Sequence, residues 1–163
     1  MHILDIVYDS IVDGVGLRTA IFFSGCSHRC HKCHNPQSWD IENGKYISND
    51  QLIQKIYEEK HHKNVTLSGG DPFYQVKEVA ELARQIKKNG YNIWIYSGYT
   101  FEEILKCNEK YELLRLCDIL VDGKFENENR NLKEKFKGSI NQRIIDIQKS
   151  IEKCRIVERY KCS

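Results

Sequence analysis

Short β-rich runs alternate with amphipathic helical stretches along most of this 163-residue chain, and that alternation limits its fold more than any other feature. Thr19-Ala-Ile-Phe-Phe23, Asn64-Val-Thr-Leu67, Asn92-Ile-Trp-Ile-Tyr96, Asp118-Ile-Leu-Val121 and Arg143-Ile-Ile-Asp-Ile147 read as strands. Between them, Ser48-Asn-Asp-Gln51 has the form of a capping box opening a helix through Leu52, Ile53 and Ile56. A second helix is expected over residues 75–89, with Val76, Val79, Ala80, Ala83 and Ile86 on one face and Gly90 as its stop. Thr100 with Glu103 opens a third, carrying Ile104 and Leu105. Strand and helix in turn imply βαβ units, hence an α/β fold of about five to six mostly parallel strands. That is too few for a closed eight-stranded barrel of about 250 residues, which leaves a partial (β/α) barrel or an open sheet. The polar stretch 123–142 reads as loop.

In either architecture ligands collect at the carboxyl ends of the strands. Three loops follow strands in this sequence and so converge on one rim. They are the cysteine loop after Phe23, the Ser68-Gly-Gly-Asp71 loop and the Ser97-Gly-Tyr99 loop.

The first of them, Cys26-Ser-His-Arg-Cys30-His-Lys-Cys33, holds three of the seven cysteines. Three thiolates at this spacing can hold an iron-sulfur cube by three corners and leave the fourth iron open to another ligand. The alternative is a structural zinc site, completed by His28, His31 or His34. Zinc sites usually bring ligands as two separated pairs, and no second pair follows here. Hydrolysis by one cysteine with a histidine would leave two cysteines unexplained. No Asp or Glu lies near these histidines in sequence to orient them.

Gly69 and Gly70, without β-carbons, permit close backbone approach to a ligand, and Asp71 adds a carboxylate suited to a ligand ammonium group. A plain turn closed by Pro72 is the competing reading. Gly14-Val-Gly16-Leu-Arg18 fails as a dinucleotide fingerprint, because Thr19 stands at the third glycine position and a strand follows in place of a helix. Arg18 itself reads most simply as a surface residue at a strand start. No nucleophile elbow or Walker loop is present.

A net charge of +2, with both signs interspersed, does not point to nucleic acid. The basic cluster of Lys133, Lys135 and Lys137 near Arg130 and Arg143 reads as a solvated loop. No apolar run approaches the roughly 20 residues of a membrane span, and the N-terminus does not read as a signal peptide. The cytoplasm is the expected compartment, where clustered thiols are metal ligands more often than disulfides. Cys107 and Cys117 read as buried small hydrophobes. Cys154 and Cys162 read as terminal thiols or, less simply, a second metal site.

Cys26-x3-Cys30-x2-Cys33 resembles the signature of radical S-adenosylmethionine (SAM) enzymes. Asp13-Gly-Val-Gly-Leu-Arg18 before it and Cys33-His-Asn-Pro36 after it are similar to the glycyl-radical activases. Ser68-Gly-Gly-Asp-Pro72, Tyr96-Ser-Gly-Tyr-Thr100, Leu120-Val-Asp-Gly-Lys-Phe125 and Gly138-Ser-Ile-Asn-Gln-Arg143 narrow the resemblance to activases of anaerobic ribonucleoside-triphosphate reductase. It covers residues 1–147. From 148 on the chain carries little signal, within a single domain of 1–163.

The resemblance implies a radical SAM partial barrel with one 4Fe-4S cluster held by Cys26, Cys30 and Cys33. It places SAM against Lys32, Cys33, His34, Gly69, Gly70, Asp71 and Ser97. The cluster and SAM would carry the chemistry, with no catalytic acid or base. The cluster's electron would cleave SAM to a 5'-deoxyadenosyl radical, which takes hydrogen from a glycine on the reductase. A low-potential donor such as flavodoxin would feed the cluster. Lys32 stands where the superfamily often has an aromatic residue against the adenine, which shifts that contact to His34 or to backbone. Ser97-Gly-Tyr99 is similar to a glycyl-radical loop, yet it sits on the cofactor rim and reads as SAM-binding or partner-facing. Rival readings are activation of another glycyl-radical protein, peptide modification by a small radical enzyme, and a zinc-binding interaction module.

Overall fold

The computed structural model describes residues 1–131 and 133–159. Its strands are β1 His2–Ser10, β2 Arg18–Phe23, β3 Lys45–Tyr46, β4 Asn64–Gly69, β5 Asn92–Tyr96, β6 Ile119–Asp122 and β7 Arg143–Asp146. Its α-helices are α1 Asn49–Glu58, α2 Val76–Lys88, α3 Phe101–Leu105, α4 Asn108–Leu114 and α5 Ile147–Glu152. All seven strands belong to one sheet, in the order β3-β1-β2-β4-β5-β6-β7.

β2, β4, β5 and β6 are parallel, joined by helical crossovers as the alternation requires. The flanks differ from expectation. β1 is antiparallel to β2 and to β3, and β7 is antiparallel to β6, so the sheet has seven strands with antiparallel flanks in place of five to six mostly parallel ones. The return at β7 has a simple cause. Among the described residues the 123–142 stretch holds a 3-10 turn, Asn127–Asn129, and an isolated bridge, Arg130↔Ser139, and no α-helix carries the chain back across the sheet. β1 escapes a period-two reading because its register slips twice, between Ile3 and Asp5 and between Val7 and Ser10.

Both expected capping boxes form. Ser48 Oγ accepts from Gln51 N at 3.2 Å while Gln51 Oε1 accepts from Ser48 N at 3.1 Å, and Thr100 with Glu103 repeats the pattern. One face of the sheet buries Ile21, Phe23, Leu67, Ile93, Ile95 and Leu120 against apolar residues of the helices, such as Leu52 and Ile56 of α1 and Leu82 and Ile86 of α2. Strand residues of the other parity, Trp94, Ile119, Val121 and Ile144, form a second cluster with Tyr96 and Phe136.

Arg18 is not a surface residue. It is 1% exposed, and its guanidinium donates to Thr66 Oγ1, Val15 O, Val65 O and Asn92 Oδ1 at 2.7–3.1 Å, with Trp94 beneath it at 5.3 Å. Thr66 Oγ1 in turn donates to Asp13 O at 2.7 Å. These bonds clamp the 13–17 turn onto the amino ends of β4 and β5. Burial pulls the arginine pKa down to about 10.

Cys117 is fully buried as expected, and burial pushes its thiol pKa up; Cys107 is only half-buried. Cys154 is exposed, and Cys162 lies outside the described residues. After α5 the chain packs back on the sheet, where Arg159 N donates to Ile144 O at 2.7 Å. Within the basic cluster, Arg143 and Lys137 are ion-paired, with Glu102 and Asp122 and with Glu134. Among the described residues no helix is long and apolar enough to cross a membrane.

Candidate functional site

Because β2, β4, β5 and β6 are parallel, the loops that leave them share one rim. β2 delivers the chain into the cysteine loop, whose stem is closed by Gly25 N to Ser38 O at 2.8 Å, Cys26 N to Trp39 O at 3.1 Å and Ser24 Oγ to Ile41 O at 2.8 Å. Within the loop Cys33 N donates to Cys30 O at 3.1 Å, and Arg29 and Lys32 take positive φ angles of 46° and 53°. Those turns bring three half-buried thiols, Cys26, Cys30 and Cys33, onto the wall of one cavity of about 760 Å³. Burial pushes the Cys26 and Cys30 thiols up, opposed at Cys30 by a backbone hydrogen bond from Phe125.

Gly69 and Gly70 line the same cavity. Gly70 N donates to Phe23 O at 2.8 Å and Asp71 N to Gly25 O at 2.9 Å, so the β4 loop is bonded to the root of the cysteine loop. The need for glycine here comes from the protein itself. At Gly69, with φ 103°, an added Cβ would lie 2.3 Å from Phe23 N, and at Gly70 one would lie 2.4 Å from Gly25 O.

Asp71 does not offer the free carboxylate expected of it. It is 1% exposed and absent from the cavity wall. Its Oδ1 accepts from Phe73 N at 2.9 Å, while Oδ2 accepts from Ser97 Oγ at 2.9 Å, Gly98 N at 3.1 Å and His28 Nε2 at 2.8 Å. One buried carboxylate thus joins the cysteine loop, the β4 loop and the β5 loop. His28 has the orienting partner that no neighbour in sequence supplies, and Tyr99 packs edge-on against its ring at 4.4 Å. The 43-residue separation of His28 and Asp71 hides the pair from any sequence pattern.

Ser97 lines the cavity, although its hydroxyl is engaged with Asp71 and with Tyr99 N at 3.0 Å. His34 also lines it, 4.4 Å from the Phe125 ring. Lys32 and His31 are exposed and lie off the wall. Phe125, Gln142, Trp39 and Tyr96 also line the wall, and no motif marks them as site residues. Gln142 holds two loops together: its Oε1 accepts from Gly138 N and its Nε2 donates to Gly123 O, both at 2.8 Å.

The donor set fits a cluster better than one ion. Zinc needs its ligands about 2.0–2.3 Å from a single centre. Among the described residues no three His, Cys, Asp or Glu side chains are so gathered. Three soft thiols spaced along one wall suit a multi-iron group in which each sulfur binds a different iron.

A family model for a 4Fe-4S single cluster domain matches residues 12–145. The anaerobic ribonucleoside-triphosphate reductase-activating protein of Enterobacteria phage T4 is 32% identical over 139 residues, which are 82% of this chain and 86% of that one. Its counterpart in Escherichia coli is 31% identical over 140 residues, 81% of this chain and 90% of the relative. The chain belongs to the family of anaerobic ribonucleoside-triphosphate reductase-activating proteins. The crystal structure of QueE from Escherichia coli is alike in fold, with a TM-score of 0.51 at 17% identity over 61% of this chain and 53% of that one. For an activating protein of this family, the matched span takes in the three cysteines, both glycines of the β4 loop and the Asp71 junction. Leu4, Asp5 and Val7 of β1, which also line the cavity, lie outside it.

Proposed function

We propose that this chain is a radical SAM activase that generates a glycyl radical on anaerobic ribonucleoside-triphosphate reductase. The observation that carries the reading is that Cys26, Cys30 and Cys33 face one cavity whose wall, among the described residues, holds no fourth cysteine. A 4Fe-4S cluster on these thiolates keeps one iron for a non-protein ligand. Held by Cys26, Cys30 and Cys33, such a cluster would supply the electron for reductive cleavage of SAM to methionine and a 5'-deoxyadenosyl radical, which would become 5'-deoxyadenosine by taking a hydrogen atom from a glycine α-carbon of the reductase.

The work of this chain is to hold and enclose. Cys33 and His34 border SAM on the cysteine-loop side, and Gly69, Gly70 and Ser97 border its methionine end across the cavity. The paired rings of His34 and Phe125 give the adenine the aromatic face that Lys32 cannot. Asp71 acts from behind the wall, fixing the loops through His28, Ser97 and Gly98. Lys32, at φ 53°, is exposed and lies off the cavity wall. No side chain is required as acid or base. The sheet with its flanking helices is read as a radical SAM partial barrel and the chain as one domain, working in the cytoplasm with a low-potential donor such as flavodoxin.

The test is anaerobic reconstitution with iron and sulfide, followed by reduction with SAM and mixing with the reductase. A brown protein that forms 5'-deoxyadenosine and yields a glycyl radical by electron paramagnetic resonance is the expected result. A colourless protein holding one tight zinc overturns the enzyme reading. A radical formed only on a different glycyl-radical protein overturns the choice of partner.

A further inference from the structure

β1 is covered unequally by its neighbours. β2 pairs with it from Ile3↔Phe23 to Ser10↔Arg18, but on its other side β3 reaches only His2 and Ile3. From Leu4 to Ser10 the sheet therefore ends, among the described residues, in an edge with no strand against it. Proteins usually cover such an edge or shorten it, because it is a template for another strand. Here Asp5, Val7, Tyr8 and Asp9 are exposed. The Ile6 N–H is held at 2.8 Å by the Asp5 carboxylate, an exposed group that an incoming strand displaces.

This edge lies between two hollows. Leu4, Asp5 and Val7 belong to the wall of the cavity that holds the three cysteines. Ile6 and Tyr8, together with Leu4 and Asp5 again, line a groove of about 580 Å³ shared with Tyr46 and with Gln54 of α1, so Leu4 and Asp5 stand between the two hollows. An extended chain laid along the edge would thus pass the mouth of the cavity with side chains alternating between the two hollows.

We propose that the Leu4–Ser10 edge of β1 receives an extended segment of the protein substrate as an added strand, presenting its reacting glycine to the cavity. The inference rests on the activase reading above and specifies how the polypeptide is recognised. A substrate whose reacting atom is a backbone carbon is held best through its main chain, and strand addition supplies main-chain hydrogen bonds whatever its side chains. Leu4 to Tyr8, the five edge residues before Asp9 turns to φ 52°, span about 17 Å, enough to seat a segment on both sides of one glycine. Asp5 and Asp9 are the exposed charges of the edge itself, with His62 3.6 Å from Asp9, while Lys45, Lys55 and Glu58 line the groove beside it, so the segment is recognised through its main chain more than through net charge.

Hydrogen exchange on the cluster-loaded protein, with and without the reductase, tests this. Binding should slow exchange at least tenfold in the amides of residues 4–10. Asp9→Lys, at an exposed position, should lower glycyl-radical yield several-fold while leaving reductase-independent 5'-deoxyadenosine formation unchanged. Ile6→Pro, which deletes an edge donor, should lower it further. If a glycyl radical forms while exchange over residues 4–10 stays unchanged, the edge is not the docking site and the activase reading stands. Protection that appears in the protein alone and grows with its concentration assigns the edge to a second copy and overturns the proposal. Absence of both complex and radical overturns the activase reading with it.

Discussion

His28 Nε2 lies 2.8 Å from Asp71 Oδ2, with both side chains more than nine-tenths buried, and this contact ties the cysteine loop to the loops that follow β4 and β5. The carboxylate already accepts from Ser97 Oγ, Gly98 N and Phe73 N, so its position is determined before the histidine docks. His28 is then the handle by which the cysteine loop is held against a rigid base.

Breaking that contact should loosen the cluster more than the fold. His28→Asn and Asp71→Asn are expected to lower iron retention or SAM affinity by about 10–100-fold, the usual effect of losing a group that orients metal ligands. Asp71→Asn should be the more damaging single, because it also weakens the bonds from Ser97, Gly98 and Phe73, and the double variant should be no worse than Asp71→Asn, because His28→Asn removes only a contact already lost. Iron and sulfide per chain after reconstitution, set beside the thermal midpoint of the metal-free protein, measure the two effects separately. Full iron content and unchanged SAM affinity in both single variants would show that the contact is dispensable.

Gly69→Ala should destabilise the metal-free protein severely, by about 3 kcal/mol or more, since a Cβ would meet Phe23 backbone at 2.3 Å and φ is 103°. Gly90→Ala, with φ 79° and nothing within 4 Å, should cost only about 1 kcal/mol. Urea unfolding of the two variants makes the comparison. Equal midpoints would mean that β4 can move away from β2.

Arg18→Met leaves Thr66 Oγ1 and the Val15, Val65 and Asn92 acceptors without their common donor. Burial of unsatisfied groups predicts a loss of about 2–4 kcal/mol, with Arg18→Lys intermediate because an ammonium cannot reproduce the fork. Thermal or urea unfolding reads it. A midpoint within error of the parent protein would show that the 13–17 turn holds without the clamp.

Asp122 and Glu102 both contact Arg143, but they differ in burial. Asp122 is 1% exposed and also accepts from Phe101 N at 2.7 Å, so Asp122→Asn should be strongly destabilising. Glu102 is half exposed, and its bond to Arg143 holds its pKa below the ordinary value. A depressed carboxylate adds stability at pH above its unfolded value, near about 4.3, and loses it as pH falls further. Solvent screening keeps that contribution under about 1 kcal/mol. Glu102→Gln should therefore slightly flatten the acid limb of a stability profile and change nothing at pH 7 beyond this amount; a large loss at pH 7 would contradict it.

Much of this molecule was legible in the chain. The five expected strands all form, as do both capping boxes, because residues close in sequence set periodicity and caps. The cysteine spacing brought Cys26, Cys30 and Cys33 to one wall for the same local reason. β1 was harder to see, since two register slips erase its alternation, and the antiparallel return of β7 depends on a long loop whose path no periodicity reports.

The sequence by itself determined the elements, the thiol trio and the convergence of three loops on one rim, all properties of short stretches. Only the tertiary structure decided which polar groups face the cavity and which brace it. Asp71 looked like a ligand contact and is a buried junction, while Arg18 looked like a surface charge and is a buried clamp. Those outcomes depend on partners 26 to 74 residues away, brought together by parallel strand pairing. Burial and hydrogen-bond satisfaction are set by that pairing, and no local pattern encodes them.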